Sequence, residues 1–152
     1  MTSPQKAKGD KYERDLARLI DTVCFSGAGL VHRAPLSGGG SNIGGGGRAD
    51  LSGTPDIWVE AKRTERFQPY EAMAQAERGL AAAKSDDMPV VISRRSQIKD
   101  DNSLVVMRMF DWMILYRAHL AANGLDHLPR SGQKDDLPPN VVALLPLNGK
   151  DT

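Results

Sequence analysis

Apolar residues at Tyr12, Leu16, Leu19, Ile20 and Val23 recur at helical spacing and predict an amphipathic helix from about Lys8 to Cys24, ended by Gly27-Ala28-Gly29. Leu30 to Ala34 reads as a short strand. Further on, two short apolar runs flank Gly53-Thr54-Pro55-Asp56, the pattern of a β-hairpin with proline in its turn. Along the second arm the side chains alternate. Ile57, Val59 and Ala61 form a wholly apolar face and are assigned to the core, which leaves Trp58, Glu60 and Lys62 to a cleft or to solvent. Phe67-Gln68-Pro69-Tyr70 opens a helix to about Lys84, with Pro near its first turn and a stripe of Tyr70, Met73, Ala74, Glu77, Leu80, Ala81 and Lys84. Pro89 to Arg95 and Ser103 to Met109 read as strands joined by the polar loop Ser96 to Asn102. Phe110 to Leu120 is a helix apolar on more than one face, suited to the middle of a domain or to a subunit interface. The series of elements predicts an α/β core with a mixed sheet between helices.

A chain of 152 residues fits one domain with its own core, here 8–122, after a disordered lead-in of residues 1–7. Residues 123–152 are expected as a tail or edge strand of the same domain, with one apolar run from Val141 to Leu147. No apolar run approaches the roughly 18 residues of a membrane span, and Met1 to Lys6 lacks the apolar core of a secretory signal. The expectation is a cytoplasmic protein without a membrane partner. The lone cysteine, Cys24, has no partner for a disulfide or a zinc site and reads as a small buried apolar residue. His32, His119 and His127 show no ligand spacing and read as structural or surface residues. The net charge of +1 gives no support to nucleic-acid binding by itself. Local basic groups change that picture: Lys6, Lys8, Lys11, Arg14 and Arg18 early in the chain, Arg63 and Arg66 after the hairpin, and Arg94, Arg95 and Lys99 later.

The hairpin carries the candidate chemistry. Pairing its arms about Pro55 sets Asp50 opposite Glu60 on one face, roughly 5 Å apart at Cβ. Two carboxylates beside the Lys62 ammonium suit a hard divalent cation next to a charge that can touch a phosphate or an attacking water. Asp56 also precedes Glu60, but on one extended strand their Cα atoms would be about 13 Å apart, too far to share an ion. It reads as a turn residue. Glu13 lies at the edge of the first helix's buried stripe, either as an exposed helix former or as a carboxylate brought toward the hairpin. Between them, Pro35 to Gly47 holds seven glycines, with no Gly-Lys-Ser/Thr and no helix after it, so it fails as a phosphate-cradling P-loop and fits a flexible flap.

Asp50, a spacer of nine residues and Glu60-Ala61-Lys62 resemble the PD-(D/E)xK nuclease signature. Lys8-Gly9-Asp10-Lys11-Tyr12-Glu13-Arg14-Asp15-Leu16 resembles the opening helix of archaeal-type Holliday-junction resolvases, and Arg33-Ala34-Pro35-Leu36-Ser37-Gly38 resembles their Arg-x-x-x-Ser-Gly segment. The resemblance covers roughly residues 8 to 75. It implies a restriction-endonuclease-like α/β/α core and a Mg²⁺-dependent phosphodiester hydrolase in which Mn²⁺ substitutes for Mg²⁺. Asp50 and Glu60, with the Ala61 carbonyl, would hold the ion; Glu13 would bind a second ion or a metal-bound water; Lys62 would activate the water and offset charge on phosphorus. Ser37, Arg48, Arg63, Lys8 and Lys11 become candidate DNA contacts. Gln75, on the helix after the motif, is a secondary candidate that reads equally well as a surface glutamine. The implied partners are a four-way DNA junction and a second copy of the chain, in a bacterial, archaeal or phage-infected cell. Two other readings stay open: a related nuclease acting on flaps, ends or duplex, and a non-catalytic DNA-binding module with the same fold. The long glycine-rich loop and the segment beyond Leu120 depart from the archaeal pattern and bear on substrate choice.

Overall fold

In the computed structural model, residues 4–35 and 47–125 are described. The chain divides into two compact units, Met1–Arg108 and Met109–Thr152. In the first unit α1 spans Pro4–Phe25, followed by β1 (His32–Arg33), β2 (Leu51–Ser52), β3 (Ile57–Arg63), α2 (Pro69–Ala83), β4 (Met88–Arg94) and β5 (Leu104–Val106), with a single 3-10 turn at Asp100–Asn102. The helix α1 begins inside the stretch expected to be a disordered lead-in. A proline in a first turn forfeits no hydrogen bond, because the first N–H groups of a helix have no partner within it.

The main sheet is mixed, in the order β3-β4-β5. β3 and β4 run parallel with Glu60 opposite Val91 and Lys62 opposite Ser93, while β5 returns antiparallel with Val106 opposite Val91. Parallel neighbours need a crossover, and α2 supplies it. β1 and β2 form a separate antiparallel pair, with Arg33 opposite Leu51.

The expected hairpin is therefore modified. β2 does lead into β3 through a turn, with Asp56 in the left-handed region at φ 61° and Thr54 Oγ1 donating to the Ile57 carbonyl at 2.9 Å. Yet β2 pairs with β1, and β3 takes β4 as its ladder partner. One backbone bond, Asp50 N–H to the Val59 carbonyl at 2.8 Å, ties the two arms.

Both faces of β3 are covered over most of its length, which corrects the expectation that Trp58 and Glu60 look into a cleft or solvent, while Lys62 near the strand's end does line a cleft. Val59 packs with Tyr12, Leu16 and Ala17 of α1, together with Leu51, Val90 and Ile92. Trp58 packs with Ala72, Met73 and Ala76 of α2, together with Val91. A strand with a parallel neighbour and a crossover helix is buried on both sides, so alternation alone misassigns its polar-looking face. Trp58 is 6% exposed. Tyr70, expected in the buried stripe of α2, is 80% exposed, since the buried face runs through Ala72, Met73 and Ala76. Cys24, expected to be buried, is exposed on the last turn of α1. His32 and His119 are exposed as expected, and His127 lies outside the described residues.

Asp21 closes the end of α1. Its carboxylate accepts backbone N–H groups from Gly29, Leu30 and Val31 at 2.9, 2.7 and 3.1 Å, and these bonds hold its pKa below the usual carboxylate value. They also fix the approach of the chain to β1.

In the second unit α3 spans Met109–Ala122 and has no buried residue. Trp112 and Tyr116 stack on its surface with ring centroids 5.0 Å apart. Among the described residues no helix is long and apolar enough to cross a membrane.

Candidate active site

Four sequence-distant pieces converge at the carboxyl-terminal half of β3. Asp50, just before β2, is buried. Its backbone carbonyl accepts from Ala34 N–H at 2.8 Å, and its side-chain Oδ2 accepts from Ala61 N–H at 2.8 Å. The carboxylate thus takes an amide that a longer β2 would have paired through its backbone, and the strand's end becomes a polar site.

Glu60, also buried, lies on the face of β3 covered by α2. Its Oε1 accepts from Lys62 Nζ at 2.7 Å and from Gln75 Nε2 at 2.7 Å, and Gln75 Oε1 in turn accepts from Lys62 at 2.8 Å. Glu60 and Lys62 share a face because they are two apart on a strand. Gln75 joins them because α2 crosses over that face. The secondary candidate is thus a full member of the polar cluster.

Glu13 reaches the region from α1 and is buried at 9% exposure rather than lying free on the helix surface. Arg33 of β1 donates to it through Nε at 2.6 Å and to Asp10, one turn earlier, through Nη2 at 2.7 Å. The bond to Glu13 is the main cause that raises the pKa of Arg33 above its ordinary value. Neither Arg33 nor Asp10 stood out as a site residue in the sequence. The available signal was the spacing of Asp10 and Glu13, which puts both acids on one helix face and calls for a shared cation.

The electrostatics centre on Asp50. Burial and, next, the negative charge of Glu60 push its carboxyl up from 3.8 to about 7, while the Ala61 N–H bond opposes them; Glu13 adds to the rise and Lys62 to the opposition. An acid half-ionised near neutrality beside a second carboxylate exchanges its proton readily for a cation. Among the described residues, no three His, Cys, Asp or Glu side chains gather as a ready metal cage. The donor set still fits a hard cation, because Mg²⁺ is commonly bound through one or two carboxylates, with water and substrate phosphate completing its shell.

The other candidates sit further out. Arg48 is exposed, with Nη1 3.4 Å from the Pro35 carbonyl oxygen. Lys8 and Lys11 are exposed on α1, and Lys11 pairs with Asp15 one turn on. Arg63 is half-buried at the end of β3. Ser37 and the glycine-rich loop from 38 to 46 lie outside the described residues. No family model, curated protein or solved structure matches the chain.

Proposed function

We propose that this protein is a Mg²⁺-dependent, structure-selective DNA endonuclease of the PD-(D/E)xK type, acting on four-way junctions as a homodimer. The observation that carries the reading is the buried pair Asp50 and Glu60 with the Lys62 ammonium bonded to one of them. A surface salt-bridge cluster would leave all three in solvent, where such pairs contribute little. Burying two acids that repel each other opposes folding, and a cation held between them gives the arrangement a use. The restriction-endonuclease-like arrangement belongs to the same proposal, supported by helices on both faces of β3 in the first unit.

Asp50 and Glu60 would hold the divalent ion, with the Ala61 carbonyl as a further oxygen donor. Bound there, the ion supplies Lewis-acid polarisation of the scissile phosphate and a more acidic water. Lys62 offsets the negative charge that builds on the phosphoryl oxygens and favours the ionised form of the attacking water. Water gives up a proton to solvent as its oxygen forms a new bond to phosphorus, one P–O ester bond breaks, and the leaving oxygen takes up a proton from solvent. Gln75 keeps Lys62 and Glu60 in register. Arg33 holds Glu13 in place and offsets part of its charge beside the site. The exposed apolar side chains of α3, Trp112, Met113, Leu115 and Tyr116, support the homodimer part of the proposal.

The test is a substrate panel of four-way junction, flap, single strand and duplex, each with and without Mg²⁺. Paired symmetric nicks in the junction, dependent on Mg²⁺, are expected. Cutting of duplex, flaps or ends would move the substrate assignment to a related nuclease, and tight binding with no cutting would make the protein a binding module.

A further inference from the structure

Beside Lys62 opens a cleft of about 530 Å³ between the end of β3 and α2, lined by Lys62, Arg66, Gln75 and Arg78 among others. A second cleft, of about 470 Å³, lies on the α1 side and is lined by Lys8, Arg63, Glu65 and Ser96. Thr64 and Arg66 line both, so the two clefts adjoin across the end of β3 and together are called the furrow.

Its cations differ from the structural ones. Arg33, Arg94 and Arg108 are each tied to a carboxylate, namely Asp10 and Glu13, Asp100, and Glu77. The guanidinium groups of Arg66 and Arg78 pair with no acid among the described residues, and the Nε of Arg63 is buried without a hydrogen-bond partner there. Two acids also line the furrow. Glu65 is already engaged by the Ser96 N–H at 2.8 Å, and Glu71 belongs to the first turn of α2.

We propose that this furrow is the bed of one nucleic-acid strand, with Arg66 and Arg78 gripping backbone phosphates next to the one presented to Lys62, and Arg63 and Lys8 gripping phosphates further along. The proposal rests on the hydrolase reading and gives it a strand path. Arginine suits the task because its planar fork meets two phosphate oxygens at once. Backbone contacts of this kind position a strand without reading its sequence.

The experiment measures affinity for a labelled four-way junction and for a labelled single strand by fluorescence anisotropy in EDTA, over a range of salt, for the wild type, Arg66→Ala, Arg78→Ala and Arg18→Ala. Arg18 is exposed on α1 and lines neither cleft. Each furrow variant should weaken binding by about three- to tenfold and reduce the slope of log K against log salt by roughly one. Arg18→Ala should match the wild type in slope, and melting curves should agree for all four. Furrow variants with unchanged slopes, beside a wild type that binds, would overturn the strand path and leave the hydrolase reading intact. A wild type that binds neither DNA would overturn both.

Discussion

Gln75 and Glu60 meet at 2.7 Å, a helix amide donating to a buried strand carboxylate, and the same glutamine accepts from Lys62 at 2.8 Å. Three side chains from two elements thereby fix one another, so each has fewer alternatives than a lone surface residue would have. Gln75→Ala should lower the single-turnover cleavage rate by roughly ten- to a hundredfold, through misplacement of Lys62 and Glu60. Because Gln75 is exposed, the melting temperature should stay close to that of the wild type. Rates at saturating DNA check this, and a change confined to KM would assign Gln75 to binding instead.

Glu60→Gln and Lys62→Ala should each abolish detectable cleavage while leaving DNA affinity within about tenfold, because phosphate contacts elsewhere dominate binding. Glu60→Gln keeps an oxygen to accept from Lys62 and removes only the charge. Parallel gel cleavage and anisotropy assays separate the two effects.

Asp50 makes stability depend on pH in a defined direction. Its carboxyl is raised from 3.8 to about 7 in the folded chain, so between these values the folded protein keeps a proton that the unfolded chain has lost. Metal-free protein should therefore lose stability as pH rises from about 4 through 7. Asp50→Asn keeps an oxygen for the Ala61 N–H and removes the penalty. At pH 8 it should be more stable than the wild type by on the order of 3 kcal/mol, and at pH 4 about equal to it. Urea melts at the two pH values give the comparison.

Gly53 belongs to the turn that delivers Asp50 to β3. It has φ +81°, and a Cβ there would fall on the Leu30 carbonyl oxygen. Gly53→Ala should destabilise the fold by about 2 kcal/mol or more, since both the left-handed backbone and the contact resist a side chain. Thermal melting measures the loss.

Elements with a strong period were legible in the sequence. The helical stripe of Tyr12 and Leu16, the strand Val90 to Ser93 and the crossover helix opened by Pro69 all fall where apolar spacing puts them. Pairing was less legible. β2 and β3 share a turn, but β2 pairs with β1 from before the glycine-rich loop, and the parallel partner β4 of β3 lies beyond α2. The burial of Trp58 under α2 escaped for the same reason, because alternation does not reveal what a distant helix covers. In the candidate site, the nearness of Asp50, Glu60 and Lys62 follows from local chain geometry. The clasp of Gln75 depends on how α2 crosses the sheet, and that of Arg33 depends on β1 meeting α1; neither crossing is written in local spacing.

Calorimetric titration of Mn²⁺ into metal-free wild type and Asp50→Asn at pH 8 tests the central claim most directly. The wild type should bind the ion, with affinity falling about tenfold per unit as pH drops below 7 because the Asp50 proton must leave, and Asp50→Asn should bind at least tenfold more weakly. A wild type that takes up no ion at millimolar concentration, or an Asp50→Asn variant that binds it equally well, would contradict the account.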